Sequence, residues 1–171
     1  ETGLIERTDT TYDSLHHEFI SYNEDSTVSN SSLYWYGSDG DIIYVWEETF
    51  AYQDGVLTAD TWSEFSYWDG NISLNQQQHT VYSYDSQGRE ILTNTSHGDR
   101  TYTVVTTYDE SGNIAKVEQS RDGELYHSVE YGYDAANVLA TETSTDYYSS
   151  SQYSRTINYS YDGSGKLVTK E

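Results

Sequence analysis

Cysteine, methionine and proline are absent from this 171-residue chain, and the side chains that could do chemistry are its carboxylates, imidazoles, hydroxyls and aromatic rings. Without thiols there are no disulfides, no thiolate metal sites and no cysteine nucleophile. Asp39-Gly40-Asp41 and Asp109-Glu110-Ser111-Gly112-Asn113 gather oxygens at the short spacing that calcium loops use. Neither fits the EF-hand spacing with its closing glutamate. They read better as turns in which an aspartate accepts hydrogen bonds from its own backbone. Weak Ca²⁺ binding is the one cofactor chemistry left open, and no other cofactor or metal is expected. His16-His17-Glu18 offers two imidazoles, but neighbours on a strand point to opposite faces and do not share an ion. His79 and His97 are isolated, and His127 reads as a packed, hydrogen-bonded residue. Serines and threonines abound without a Gly-x-Ser-x-Gly elbow. Among 29 acidic residues no single pair stands out for glycoside hydrolysis. No catalytic residues are assigned. The aromatics are more informative. There are 19 Tyr, 4 Trp and 3 Phe. Trp35, Trp46, Trp62 and Trp68 all fall in the first half and are the candidate ligand-binding residues, offering surfaces for sugar rings or apolar partner side chains. The competing role is filling a core where a sheet coils on itself.

Charge excludes several partners. Eight basic residues against 29 acidic ones give a formal net charge of −21. Nucleic acid is excluded, since affinity for phosphates comes from Lys and Arg. Docking on an anionic membrane is excluded for the same reason. No apolar run approaches the roughly 20 residues that a membrane helix needs, so no membrane insertion is expected. The acidity keeps a β array soluble and discourages edge-to-edge pairing. A cationic partner would require those charges to cluster in space, which a sequence does not show.

An internal repeat supplies the elements that position these residues. Tyr84-Asp85-Ser86-Gln87-Gly88, Tyr108-Asp109-Glu110-Ser111-Gly112, Tyr133-Asp134-Ala135-Ala136-Asn137 and Tyr161-Asp162-Gly163-Ser164-Gly165 share one pattern, with an aliphatic residue soon after each. The register of that aliphatic residue slips by one in some copies. The tyrosines are 24, 25 and 28 residues apart, a period that indicates an array of supersecondary units. Each copy reads as a β-hairpin turn: Asp85, Asp109, Asp134 and Asp162 cap the backbone two or three residues on. Gly88, Gly112, Asn137 and Gly165 supply the positive φ. Second turns fall at His97-Gly98-Asp99, Asp122-Gly123 and residues 146–151. Further turn candidates are residues 23–25, Asp39-Gly40, Asp54-Gly55 and Asp69-Gly70, the last three 15 residues apart. Tyr12-Asp13 reads as a degenerate first copy. Strands such as Leu125–Tyr133 and Tyr153–Tyr161 alternate large and small polar residues, which predicts one buried face and one wet face over a largely tyrosine core. A short turn of helix over residues 15–19 is the only helical candidate.

These copies resemble the YD repeats, also called RHS repeats, of bacterial wall-associated and toxin-delivery proteins and of animal teneurins. Tyr82-Ser83-Tyr84-Asp85-Ser86-Gln87-Gly88-Arg89 fits the family pattern best; Tyr131-Gly132-Tyr133-Asp134 and Tyr159-Ser160-Tyr161-Asp162 reproduce its front half, and Tyr108 to Ile114 its back half. The resemblance covers roughly residues 78–171. It implies hairpins stacked into a spiralling or open twisted sheet, brings no catalytic residues, and implies no enclosing shell in a chain this short. A fainter similarity links Asp122-Gly123-Glu124-Leu125-Tyr126 to the aromatic hairpins of choline- and glucan-binding modules, whose Gly-Trp signature is missing here.

The expectation is therefore an all-β, single-domain array of antiparallel hairpins, about a dozen strands over residues 4–171. Residues 4–77 form divergent Trp-rich repeats and 78–171 regular ones. Glu1-Thr2-Gly3 reads as an expression remnant, and the lack of methionine marks an excised or processed piece. The chain is expected to be a monomer or part of a larger multidomain chain. Asn-x-Ser/Thr sequons at Asn30, Asn71, Asn94 and Asn158 leave eukaryotic secretion undecided. The expected role is a non-enzymatic structural or adhesive module of an extracellular or cell-surface protein, of bacterial type. It presents aromatic rings and hydroxyls to a protein or glycan. The alternative is a carbohydrate-binding module with its sugar site in the Trp-rich half; an enzyme ranks third.

Overall fold

The computed structural model describes residues 4–11, 14–165 and 167–170, with side chains from His16 onward. Every described regular element is a strand. They are β1 (Leu4–Thr11), β2 (Ser14–Tyr22), β3 (Val28–Tyr36), β4 (Ile42–Gln53), β5 (Val56–Trp68), β6 (Asn71–Tyr84), β7 (Glu90–His97), β8 (Arg100–Tyr108), β9 (Ile114–Arg121), β10 (Glu124–Tyr133), β11 (Leu139–Tyr148), β12 (Ser151–Tyr161) and β13 (Leu167–Lys170). The fold is an all-β array of antiparallel hairpins. Residues 15–19, the one helical candidate, lie inside β2 instead. The nine residues of β2 pair with β1 on one side and β3 on the other, and that two-sided ladder outweighs one i,i+4 apolar pair. The Tyr12-Asp13 copy and Glu1-Thr2-Gly3 lie outside the described residues.

The chain divides into two compact units. One runs to Tyr82 and includes Thr95–Asp99; the other comprises Ser83–Asn94 and the residues from Arg100 on. In the first unit β1 to β6 follow in chain order, each antiparallel to its neighbours. In the second unit β8 to β13 do the same.

Two turn chemistries build the hairpins. Asp54-Gly55, Asp69-Gly70 and Asp122-Gly123 place both residues at positive φ (53° and 77°, 50° and 75°, 53° and 82°). That is the type I′ turn, whose twist matches paired strands. The Tyr-Asp turns are longer. Asp85 N–H donates to the Arg89 carbonyl, and Gly88 N–H donates to the Asp85 carbonyl. The Asp85 carboxylate accepts from the N–H groups of Gln87 at 2.8 Å and Arg89 at 3.0 Å. The cap thus reaches two and four residues on, where the sequence suggested two or three. Asp109, Asp134 and Asp162 cap in the same manner, accepting from Asn113, from Ala136 and Val138, and from Ser164. Gly88, Gly112 and Gly165 take φ of 78°, 89° and 79°, and Asn137 takes 64° at the matching position.

The same hairpin recurs in the first unit under a disguised sequence. Asn23 and Gly37 replace the aspartate, with Asn23 N–H donating to the Thr27 carbonyl and Gly37 N–H to that of Asp41. In five of these hairpins a tyrosine before the turn faces an aliphatic residue after it. The pairs are Tyr22↔Val28, Tyr36↔Ile42, Tyr108↔Ile114, Tyr133↔Leu139 and Tyr161↔Leu167. The slip suspected after Asp85 is one of residue type: β7 begins at Glu90, where the other copies carry an aliphatic residue, with no change in loop length.

Burial departs from the expected dry and wet faces. Among the described residues the buried set is Val45, Ser32, Asp60, Ser63, Thr80 and Ser128, and no tyrosine belongs to it. In β10 the supposed dry set, Leu125, His127, Val129, Tyr131 and Tyr133, is half-buried, while Ser128 on the supposed wet face is 2% exposed. Among the described residues the strand contacts within each unit join chain neighbours, so no second layer is seen covering a large ring there. A small residue is instead shaded by taller ones around it, as Ser128 is by Tyr147, whose hydroxyl lies 3.3 Å away. Tyrosine suits such a half-wet surface because its ring packs while its hydroxyl finds a partner. Tyr82 donates to Asp60 at 2.6 Å, and Tyr159 donates to Glu142 at 3.0 Å.

Candidate functional site

The four tryptophans occupy β3, β4 and β5. Register decides which meet. Trp35 pairs with Tyr44, Trp46 with Leu33 on one side and Glu64 on the other, and Trp62 with Glu48. Paired residues share a face, so Trp35, Tyr44, Trp46 and Trp62 stand together on one face of the first unit. Their rings form a diagonal row. Trp35 and Trp46 have centroids 4.9 Å apart, Trp46 and Trp62 6.1 Å, and Trp35 and Tyr44 5.4 Å. His16 meets Trp35 edge-on at 5.2 Å and extends the row. The interplanar angles of 72° and 65° along the indoles are edge-to-face, an arrangement worth about 0.5–1.5 kcal/mol per pair beyond burial. Trp46, at the centre, is 39% exposed, while Trp35 and Trp62 are half-buried.

Trp68 stands apart. It ends β5, six residues from Trp62, or about 20 Å along a strand. It is 85% exposed and lines a groove of about 920 Å³ with Tyr36, Ile43, Tyr67 and Asp69.

Carboxylates interleave with the indoles. Glu64 lies across from Trp46 and Glu48 across from Trp62. Asp60, two residues before Trp62, is buried. Burial pushes the Glu48 carboxyl above its ordinary value, and the nearby Asp60 charge pushes it further. Desolvation raises the Tyr44 hydroxyl, helped by its hydrogen bond to Glu64. Asn75 Nδ2 donates to Glu64 at 3.3 Å.

The opposite face was not singled out by the sequence. His17 meets Tyr36 at 5.1 Å and Phe19 meets Tyr34 at 5.5 Å. Tyr34 and Phe65 flank Val45, the fully buried hydrophobic of the unit. This face is the nearest the unit comes to a core; its rings are half-buried, as Trp35, Tyr44 and Trp62 are, and among the rings of the two clusters Trp46 is the exposed one. His16 and His17 point to opposite faces, as strand geometry requires.

The turn residues form no shared site. Asp85, Asp109, Asp134 and Asp162 accept from their own loops. Asp109 uses both carboxylate oxygens on Asn113. Asp39 accepts from Asp41 N–H at 3.2 Å. Among the described residues no group of three or more His, Asp or Glu is placed to hold a metal ion. His127 Nδ1–H donates to the Asp146 carboxylate at 2.7 Å. Among the sequons, Asn71 and Asn158 are exposed, whereas Asn30 and Asn94 accept from Ser32 and Thr103.

No protein-family model matches this sequence, and no curated protein does. Among the described residues no helix is long and apolar enough to cross a membrane.

Proposed function

We propose that this chain is a non-enzymatic structural and adhesive β-repeat module that docks a partner protein on its indole face. The observation that carries this reading is Trp46. It is 39% exposed at the centre of a three-indole row. Solvent-exposed aromatic clusters of this kind are enriched where proteins dock. The likeness of the Tyr-Asp copies to YD repeats supports the structural part of the reading and an extracellular or cell-surface setting.

A glycan is the second reading. Glu48 and Glu64 beside the indoles are acceptors for sugar hydroxyls. Against it, rings inclined at 65–72° give no flat platform for stacking pyranoses. Indole emission separates the two. Titration with cello-, xylo- and chito-oligosaccharides should leave the emission of the native chain unchanged. Polypeptide ligands should shift it to the blue, and Trp46→Ala should abolish the shift. A saturable response to one oligosaccharide, lost in Trp46→Ala, would replace the protein reading by the glycan one.

A further inference from the structure

We infer that the indole face takes an arginine-bearing, extended polypeptide. This rests on reading the face as a protein-docking surface and adds the chemistry of the partner.

The first observation is a gap in the sequence. Between Arg7 and Arg89 there is no Lys or Arg, while residues 8–88 carry 14 Asp and Glu. The indole face lies wholly within that stretch. Its carboxylates therefore have no lysine or arginine partner in their own stretch of chain. The donors to Asp60 and Glu64 among the described residues, the hydroxyls of Tyr82 and Tyr44 and Asn75 Nδ2, are neutral and do not cancel the formal charge.

The second observation is the pairing of ring with carboxylate. Glu64 faces Trp46 and Glu48 faces Trp62 across the β4–β5 ladder. A guanidinium is the one common side chain that satisfies both, stacking on an indole while its N–H fork meets a carboxylate. The chain demonstrates this combination elsewhere. Arg89 lies 4.2 Å from the Tyr108 ring centroid while Nε and a terminal nitrogen contact Asp85 at 2.7 and 2.6 Å. On the indole face the ring and carboxylate halves of that arrangement stand side by side, and the cation is the missing part. An extended partner fits because its alternate side chains project to one side at a spacing of about 7 Å, close to that of diagonal neighbours on a sheet.

The test uses the full chain, indole emission and calorimetry. The probes are end-blocked ten-residue peptides of alternating Arg-Thr, the uncharged citrulline-Thr analogue, and Glu-Thr. The Arg-Thr peptide should bind, and weaken about tenfold between 50 and 300 mM salt. Glu48→Gln with Glu64→Gln should cost about tenfold or more, as should Trp46→Ala. The same charge change at the turns, Asp54→Asn with Asp69→Asn, should leave affinity within about twofold. Equal binding of the citrulline peptide would overturn the cationic partner and leave the docking face standing. Equal loss from the turn variants, or full binding by Trp46→Ala, would reduce the effect to diffuse charge and overturn it too. Failure of all three peptides would overturn both readings.

Discussion

The Tyr133 hydroxyl donates to the backbone carbonyl of Ile114 at 3.0 Å. Tyr108 does the same to Glu90 at 2.9 Å. In both cases the carbonyl lies five residues after the turn aspartate of the preceding copy, so the tyrosine of one repeat is tied to the strand that begins the previous one. Asn113 and Asn137, from successive turns, add an amide pair at 2.6 Å. These bonds give the repeat a reason to keep tyrosine where phenylalanine would fill the same space.

Tyr133→Phe should therefore destabilise the chain by about 0.5–1.5 kcal/mol, the net worth of a neutral hydrogen bond. Tyr153→Phe, at a tyrosine 63% exposed, should cost close to nothing. Urea unfolding of the two variants checks this. Equal midpoints would show that the inter-repeat bond adds no stability.

Gly88→Ala should cost about 1–2 kcal/mol, because the residue sits at φ 78°. Gly163→Ala, at a loop position with ordinary φ and open space around its Cβ, should be neutral or slightly stabilising. Thermal melts of both variants distinguish a backbone effect from a general intolerance of the loops.

Tyr82→Phe removes the donor to a carboxylate that is 8% exposed, and should cost about 1.5–3 kcal/mol. Asp60→Asn keeps an acceptor and should cost less. A double-mutant cycle over the pair should give a coupling above the cost of Tyr133→Phe.

The pH dependence has two opposed parts. The Asp85 carboxyl is held below the ordinary 3.8, first by the Arg89 backbone N–H, and Asp109 first by the Asn113 side chain. A depressed folded value means stability that is present above 3.8 and lost as pH falls below it. Asp85→Asn with Asp109→Asn should lower the melting temperature at pH 7 and leave it nearly unchanged near pH 2. Glu48 is pushed above 4.5 by burial, so the fold favours its neutral form and its ionisation works against stability as pH rises. Glu48→Gln should raise the melting temperature at pH 7 and not near pH 3. A melt series across pH for both sets checks the two signs.

What could be read from the sequence was what is local. Asp54-Gly55, Asp69-Gly70 and Asp122-Gly123 announce hairpins through turn chemistry alone, and so do the four Tyr-Asp copies. Residues 23–25 and Asp39-Gly40 were legible as turns but not as copies of the same hairpin, because Asn23 and Gly37 replace the aspartate; the six-residue step from Tyr22 to Val28 and from Tyr36 to Ile42 was the available signal. The indole row was hidden for a different reason. Trp35, Trp46 and Trp62 are 11 and 16 residues apart, and only register turns those spacings into neighbours. The alternation rule erred at Ser128 because it assumes a roof over one face.

The confinement of strand contacts to chain neighbours has a consequence for size. A globule must fit its volume to its surface, so inserting a hairpin disrupts distant residues. Here each Tyr-Asp copy carries its own closing bonds and is tied only to the copy beside it, in the way of other linear arrays. Duplication or deletion of 24–28 residues leaves the remaining turns chemically complete. Length in such a chain can change in whole steps, independently of the indole row.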